Sequence, residues 1–398
     1  MDIYQPAEDS YLINQFVKQY AIGRVLDMGT GSGIQALTAI KSPNVREVIA
    51  VDINEQAIIK LNNQIKEKKL RKIKAINGNL FENVAGHFNL IVFNPPYLPQ
   101  DKGIEDPALY GGKRGWEISE RFFSEVSNHL SPDGKILFLF STLTNKKKID
   151  EIIGHNLLQS KRLASEKLSF EELYVYEITK LPLLRTLESK GLNGLHFFAQ
   201  GKRGIIYRGI LERSKLIKTH FSKREELVVA VKTTRKESQA INRINNEIRW
   251  LKILNKKNIG PRLLFYGEDY FVYQFVEGKF ILDWLKKGSK DQIRQVLINI
   301  LDQCATLDQL KVNKEEMHHP HKHIIIDKYL QPVMIDFERC SQTEKPHNVT
   351  QYLEFLGRLE NELSILSLKK KELRELAREY KENYSSEILE SIKKMLIS

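Results

Sequence analysis

Between residues 24 and 140, short apolar runs alternate with stretches whose apolar positions recur every three to four residues. Arg24–Met28, Glu47–Asp52, Lys74–Asn77, Leu90–Asn94 and Gly134–Ser141 read as strands. Ile34–Ile40 and Glu55–Lys69 carry the helical period between them. Strands and helices alternating at this spacing predict a doubly wound, mostly parallel α/β sheet. A further β-rich piece, Lys167–Thr179, predicts closing antiparallel strands.

The pattern then restarts. From about Leu181 it predicts a glycine-bearing strand pair, a strand over Leu227–Thr233 and a charged helix from Ser238 to Leu254. Strands follow around Leu263–Tyr266 and Phe271–Phe275, and beyond Leu282 the chain reads as mostly helical, interrupted by His318–Arg339. A strand-rich lobe followed by a helical lobe is a second, α+β architecture. The expected division is therefore 1–181 and 182–398, with no internal repeat and no low-complexity linker to mark it.

A chain of 398 residues suits two or three domains, and 41% hydrophobic with 28% charged residues provides for real cores in a soluble protein. No apolar run approaches the ~18 residues of a membrane span. The opening MDIYQPAEDSYL lacks the basic-then-apolar order of a secretory signal. Cys304 and Cys340, the sole cysteines, match no metal-ligand spacing and fit a reducing cytoplasm. The net charge of +12 draws on clusters such as Lys146-Lys147-Lys148 and Lys369-Lys370-Lys371. A basic chain can approach nucleic acid or the ribosome. A solvated lysine-rich surface gives the same total, so charge does not decide the function.

Asp27-Met28-Gly29-Thr30-Gly31-Ser32-Gly33 follows a predicted strand and opens a predicted helix. Its glycines allow a tight turn and a close approach to a ligand. Many nucleotide-binding enzymes share such a loop, so discrimination lies downstream. The next strand ends at Asp52-Ile53, where an acidic side chain can take both ribose hydroxyls of an adenosine. A helix N-cap is the plainer role for Asp52. Asn79-Leu80 ends the strand after that, and the Asn79 carbonyl can accept from an adenine amino group.

Asn94-Pro95-Pro96-Tyr97 directly follows the apolar run Leu90–Phe93, at the sheet end where open α/β folds bind ligands. An amide or exocyclic amine is a poor nucleophile because its lone pair is delocalised. Donating both N–H hydrogens, to the Asn94 side-chain oxygen and the Pro95 carbonyl, turns that lone pair out of the plane. Pro95 and Pro96 keep the two acceptors preorganised, and Tyr97 can stack on the planar group. Methyl transfer from a sulfonium then needs mainly in-line positioning. The alternative for the tetrapeptide is a proline-stiffened turn.

With these motifs, residues 1 to about 180 resemble the HemK-related glutamine methyltransferases, in particular the archaeal and eukaryotic branch that modifies class I release factors. The likeness includes Tyr4-Gln5-Pro6-Ala7-Glu8-Asp9-Ser10, similar to a segment that closes over the cofactor in that family. It also includes Gly111-Gly112-Lys113-Arg114-Gly115 and Phe170-Glu171-Glu172-Leu173. The resemblance implies a Rossmann-like fold and S-adenosylmethionine as cofactor. The implied cofactor residues are Glu8, Asp9, Asp27, Gly29, Thr30, Gly31, Gly33, Asp52, Ile53, Asn79 and Leu80. It further implies N5-methylation of the glutamine in a release factor's Gly-Gly-Gln loop and a small zinc-binding activator subunit. Asn79 departs from the Asp of many relatives. Adenine N6 in DNA or RNA, and protein lysine, stay open as acceptors.

In the second half, Gly201-Lys202-Arg203-Gly204 can form a glycine-rich phosphate loop across two strands. Val229-Ala230-Val231-Lys232 reads as a strand ending in lysine, and Glu247 lies 15 residues on in a predicted helix. A phosphate-gripping lysine held by a helical glutamate is the phosphoryl-transfer arrangement. Tyr273–Gly278 is the expected hinge, and Asp336 ends a strand, placed to hold Mg²⁺. Residues 182–398 resemble archaeal atypical, RIO-like kinases, which implies a two-lobed protein-kinase-like fold binding ATP and Mg²⁺. The catalytic loop departs from that pattern. Aligning Ile324–Ile326 puts His318 at the catalytic Asp and His323 at the metal-binding Asn. An active kinase and a nucleotide-gated pseudokinase scaffold both fit. The histidines at 318, 319, 321 and 323 also suggest a metal site, but residues so close in sequence cannot all converge on one ion.

Overall fold

The first half is built on strands β1 (Gly23–Met28), β2 (Val45–Asp52), β3 (Ile73–Asn77), β4 (Phe88–Phe93), β5 (Leu130–Ser141), β6 (Leu158–Lys167) and β7 (Glu172–Lys180). They hydrogen-bond in the order β3-β2-β1-β4-β5-β7-β6. β1 to β5 pair in parallel, and β7 runs antiparallel to both β5 and β6. Helices α1 (Glu8–Tyr20), α2 (Ile34–Ala39), α3 (Glu55–Glu67), α4 (Glu117–Glu125), α5 (Lys146–His155) and α6 (Pro182–Ser189) accompany the sheet. This is the doubly wound, Rossmann-like arrangement expected. The structure, a computed structural model, describes residues 3–100, 109–201, 204–212, 226–234, 241–363 and 370–397.

Alternating side chains of the strands build two cores. Val25, Val48, Leu90 and Val92 pack with Ile13 and Val17 of α1 and Leu61 of α3. Phe93 and Phe138 join an aromatic stack with Phe122 and Phe123 of α4, the Phe93 and Phe122 rings lying 4.3 Å apart. Each such buried phenyl contributes roughly 1.5–3 kcal/mol. The closing antiparallel pair is longer than Lys167–Thr179 suggested. β6 starts at Leu158 but is largely exposed and polar, so it shows no apolar signature.

The chain steps outward from β1 through β2 and β3, then returns across β1 to β4. Such a reversal opens a crevice at the carboxyl ends of the two central strands. The loops following β1, β2, β3 and β4 therefore share one edge of the sheet.

Packing keeps α6 with the first unit, where Leu184 and Leu187 are buried and Glu188 pairs with the buried Lys180 at 2.7 Å. That unit runs to Phe197 and resumes at Ile210; the second takes Phe198–Gly209 and the chain from Leu227. The expected division at 181/182 falls just before α6, because Pro182 opens a helix rather than a linker.

Strands β8 (Leu192–Gln200), β9 (Gly204–Glu212), β10 (Glu226–Thr234), β11 (Leu263–Tyr266) and β12 (Tyr270–Gln274) form a second sheet, ordered β11-β12-β10-β9-β8. α7 (Ile241–Leu254) follows β10; the expected helix start at Ser238 lies outside the described residues. The helical part holds α8 (Ile281–Leu285), α9 (Lys290–Gln309), α10 (Asn348–Leu363), α11 (Lys370–Asn383) and α12 (Ser386–Ile397). Short strands β13 (Gly278–Phe280), β14 (Val312–Asn313), β15 (Ile324–Asp327), β16 (Pro332–Met334) and β17 (Ser341–Gln342) interrupt it. A capping box of Ser289 and Gln292 opens α9, which buries Leu297, Ile300 and Leu301 beside Tyr352 and Leu356 of α10. No helix among the described residues is long and apolar enough to cross a membrane.

Candidate active site

A cavity of about 440 Å³ lies at the reversal point of the first sheet, a size suited to a nucleoside-like ligand. Its walls come from Gly29–Ser32 after β1, Asp52–Asn54 after β2, Gly78–Leu80 after β3 and Asn94–Leu98 after β4. Asp27 of β1, Tyr4 before α1, Asp9 and Ser10 at the start of α1, Arg121 of α4 and Glu171 before β7 also line it.

The glycine loop bends through left-handed backbone at Gly29 (φ 65°), Gly31 (φ 52°) and Gly33 (φ 83°), which glycine adopts without strain. Thr30 Oγ1 donates to Asp27 Oδ2 at 2.5 Å, and the Ala36 amide donates to the same oxygen at 3.0 Å. Burial nevertheless pushes the Asp27 carboxyl up to about 7. Asp52 Oδ2 accepts from the Gly31 amide at 2.7 Å and Oδ1 from the Asn54 amide at 2.8 Å. Asp52 thus ties the glycine loop to the end of β2, while the N-cap of α3 is Asn54.

Two expected cofactor residues do not line the cavity. Gly33 is a packing glycine, since a Cβ there would stand 2.7 Å from Leu61 Cδ1. Glu8 adjoins Asp9 in α1, and successive helical residues do not share a face, so Asp9 alone reaches the wall. Asn79 does line it, yet its carbonyl already accepts from Arg121 Nη2 at 3.2 Å. Ile53 and Leu80 also reach the wall, Leu80 with a left-handed φ of 52°.

The tetrapeptide forms the other end. Asn94 Nδ2 donates to Asp9 Oδ2 at 2.9 Å, while Asn94 Oδ1 is buried without a hydrogen-bond partner. Glu171 Oε2 is likewise a buried acceptor without a partner. Leaving such an atom unsatisfied costs ~1–3 kcal/mol, more where charged, which a bound donor would recover. Burial, with the carboxylates of Asp9 and Glu171, pushes the Tyr97 phenol far above its ordinary range, so it stays neutral. Thr144 Oγ1 donates to the Tyr97 carbonyl at 3.0 Å. The glycines after the tetrapeptide brace it: a Cβ on Gly111 would stand 2.5 Å from the Pro96 carbonyl, and one on Gly115 2.5 Å from that of Tyr97.

Four carboxylates (Asp9, Asp27, Asp52, Glu171) and one guanidinium (Arg121) line the cavity. That balance suits a cationic sulfonium nucleoside and opposes the pyrophosphate of a dinucleotide.

In the second unit, Lys232 Nζ stands 2.6 Å from Glu247 Oε2 and 3.3 Å from Asp336 Oδ1. Burial opposes the lysine charge, but the two carboxylates outweigh it and raise Lys232 above its ordinary range. Carboxylate oxygens of Glu247, Asp336 and Glu338 all lie within 4.8 Å of one another. Asp336 has a left-handed φ of 64°. The buried Lys314 Nζ braces that turn, donating to the Ile335 and Asp336 carbonyls at 2.9 and 2.5 Å. His323 adjoins the cluster, its carbonyl accepting from the Ile335 amide at 2.9 Å and its Nε2 lying 2.7 Å from Glu316 Oε2. His318 packs against the His319 ring, and its carbonyl accepts from Arg358. Among the described residues, the metal-capable group is the acidic one and contains no histidine. The Gly201 amide donates to the Gly204 carbonyl at 2.9 Å; Lys202 and Arg203 lie outside the described residues. Sequence reasoning missed Arg121, Lys314, Glu316 and Glu338, which act across long separations or through main-chain atoms.

Fold and cavity together define the first unit as an S-adenosylmethionine-dependent methyltransferase. The methyltransferase small domain family matches residues 9–167. The chain is 36% identical over 188 residues to a putative protein N5-glutamine methyltransferase of Methanocaldococcus jannaschii, spanning 45% of this chain and 93% of that protein. It belongs to that methyltransferase family. Human methyltransferase HEMK2 is 29% identical over 194 residues, 45% of this chain and 90% of its own length. A release factor glutamine methyltransferase of Deinococcus radiodurans is 36% identical over 123 residues, 29% of this chain and 44% of its own.

Proposed function

We propose that the first unit methylates the side-chain nitrogen of a protein glutamine, and that its acceptor is the Gly-Gly-Gln loop of a class I peptide chain release factor. The observation that carries this reading is the buried, unpartnered Asn94 Oδ1 beside the cavity. An amide nitrogen offers the N–H that such an oxygen lacks, and the Pro95 carbonyl is the second acceptor. Tyr97, held neutral, stacks on the planar amide. Asp27, Thr30 and the 29–31 backbone, with Asp52, Ile53, Asn79 and Leu80, hold S-adenosylmethionine. The bound cofactor supplies a methyl group already activated on a sulfonium. The names of the relatives support glutamine as acceptor, and the family resemblance supports a small zinc-binding activator as partner.

The test is transfer of labelled methyl to a purified release factor, its Gly-Gly-Gln→Gly-Gly-Ala variant, a lysine peptide and duplex DNA. Label on the wild-type factor alone supports the reading; label on lysine or DNA overturns it. Asn94→Ala is expected to lower turnover by about 10²–10³ while leaving cofactor binding intact. Unchanged turnover sinks the role given to Asn94.

We further propose that the second unit is a protein-kinase-like, ATP-binding domain. The Lys232–Glu247–Asp336 constellation carries this reading, with Asp336 holding Mg²⁺ and Gly201 and Gly204 beside the phosphates. Calorimetry with Mg-ATP at millimolar concentration tests it. Phosphate release that disappears in Asp336→Ala marks an active kinase, and binding without release marks the scaffold.

A further inference from the structure

We infer that Asp9 is a positioning residue that fixes which end of the Asn94 amide is left free for the acceptor nitrogen. The inference rests on the reading that Asn94 accepts from the nitrogen being methylated.

A primary amide carries a donor and an acceptor of nearly the same shape, and rotation about the last side-chain bond exchanges them. The two ends are opposite in effect. The oxygen receives the acceptor's N–H, whereas an NH₂ group would set donor against donor. Nothing within the tetrapeptide decides between them. An ionised carboxylate does, because it accepts hydrogen bonds and donates none. Asp9 Oδ2 takes Asn94 Nδ2 at 2.9 Å, and so leaves Oδ1 as the free, buried end.

Asp9 is itself held. Its Oδ1 accepts from the Tyr4 hydroxyl at 3.0 Å and from the Ser10 amide at 2.5 Å. It is 5% exposed. A hydrogen bond to an ionised group also polarises the amide, strengthening Oδ1 as an acceptor. The opening Pro-Ala-Glu-Asp-Ser segment thereby acquires a task distinct from cofactor binding: it orients the residue that orients the substrate.

The test exchanges the partners. In Asn94→Asp, two carboxylates face one another across a gap made for a donor, and one must bind a proton. Its turnover is expected to be low at pH 8 and to rise as the pH falls. Adding Asp9→Asn supplies the missing donor, since the new amide donates to the carboxylate at 94 and an acceptor oxygen remains for the substrate. Asp9→Asn alone is expected to lower turnover about 10-fold, a charge-assisted bond being exchanged for a neutral one that holds either register. Introduced into Asn94→Asp, the same change is expected to raise turnover at pH 8 about 10-fold and to abolish the rise at low pH. Turnover is compared at saturating S-adenosylmethionine, its affinity read by calorimetry, so that the altered charge of the cavity wall does not enter the comparison.

A cofactor-binding or purely structural role for Asp9 predicts loss in both backgrounds, and either that result or wild-type behaviour of Asp9→Asn overturns the inference. The underlying reading fails separately. If Asn94→Ala turns over like wild type, Asn94 is not the acceptor; if Asn94→Ala is inactive but the partner exchange gives no recovery, only the role of Asp9 is refuted.

Discussion

Lowering the pH from 8 to 6 is expected to weaken S-adenosylmethionine binding about tenfold through one buried carboxyl, Asp27. Burial raises Asp27 to about 7, against the pull of the Thr30 hydroxyl and the Ala36 amide. The carboxyl lines the cavity that receives a cationic ligand, so the ligand prefers the ionised form. With half-ionisation near 7, the ionised fraction is about one in eleven at pH 6 and about ten in eleven at pH 8, and apparent affinity follows it. Stability of the ligand-free fold runs the other way. The folded-state value lies above the ordinary 3.8, so this contribution is fully present below about pH 4 and is lost as the pH rises through about 7. Calorimetric titration at pH 6, 7 and 8, in buffers of differing ionisation enthalpy, reads both affinity and proton release. Near pH 6 the wild type should release about one proton more per ligand than Asp27→Asn, whose affinity should lose this pH dependence. Identical profiles for wild type and Asp27→Asn, in affinity and in protons released, would refute the reasoning.

Three further outcomes are expected. Gly33→Ala forces a left-handed φ on alanine and drives its Cβ to 2.7 Å from Leu61 Cδ1; thermal melting should show a loss of ~1–3 kcal/mol. Glu171→Gln removes a charge whose Oε2 is buried in the cavity wall without a partner; steady-state kinetics should show a higher KM for the proposed release-factor acceptor and a modestly weaker cofactor affinity. Lys232→Met leaves the Glu247 and Asp336 carboxylates facing one another without the lysine between them; the Mg-ATP binding proposed for the second unit should fall below detection in the full chain, while methyl transfer proceeds.

What was legible in the sequence is what neighbouring residues determine. The glycine loop, Asp52, Asn79 and the Asn94–Tyr97 tetrapeptide each end a strand, and a doubly wound sheet gathers such ends along one edge. The partner of each side chain was not legible. Asp9 meets Asn94 across 85 residues and Arg121 meets Asn79 across 42, pairings that no local pattern encodes. Glu8 and Asp9 look equivalent as letters, and only the helical face separates them. Alignment on Ile324–Ile326 treats His318 and His323 alike, yet it is His323 whose carbonyl pairs with the Ile335 amide beside Asp336. β6 carries no sequence signature because an exposed edge strand needs no apolar alternation.

The carboxylate lining of the first cavity also bears on how the enzyme empties. Before transfer the nucleoside carries a positively charged sulfur; afterwards that sulfur is a neutral thioether. Asp9, Asp27, Asp52 and Glu171 attract the first charge state and gain nothing comparable from the second. The walls therefore discriminate fresh from spent ligand by charge rather than shape, and the loss of one charge in the reaction itself loosens the grip. Charge therefore favours exchange of product for fresh cofactor, and the advantage shrinks as the acidic lining becomes protonated.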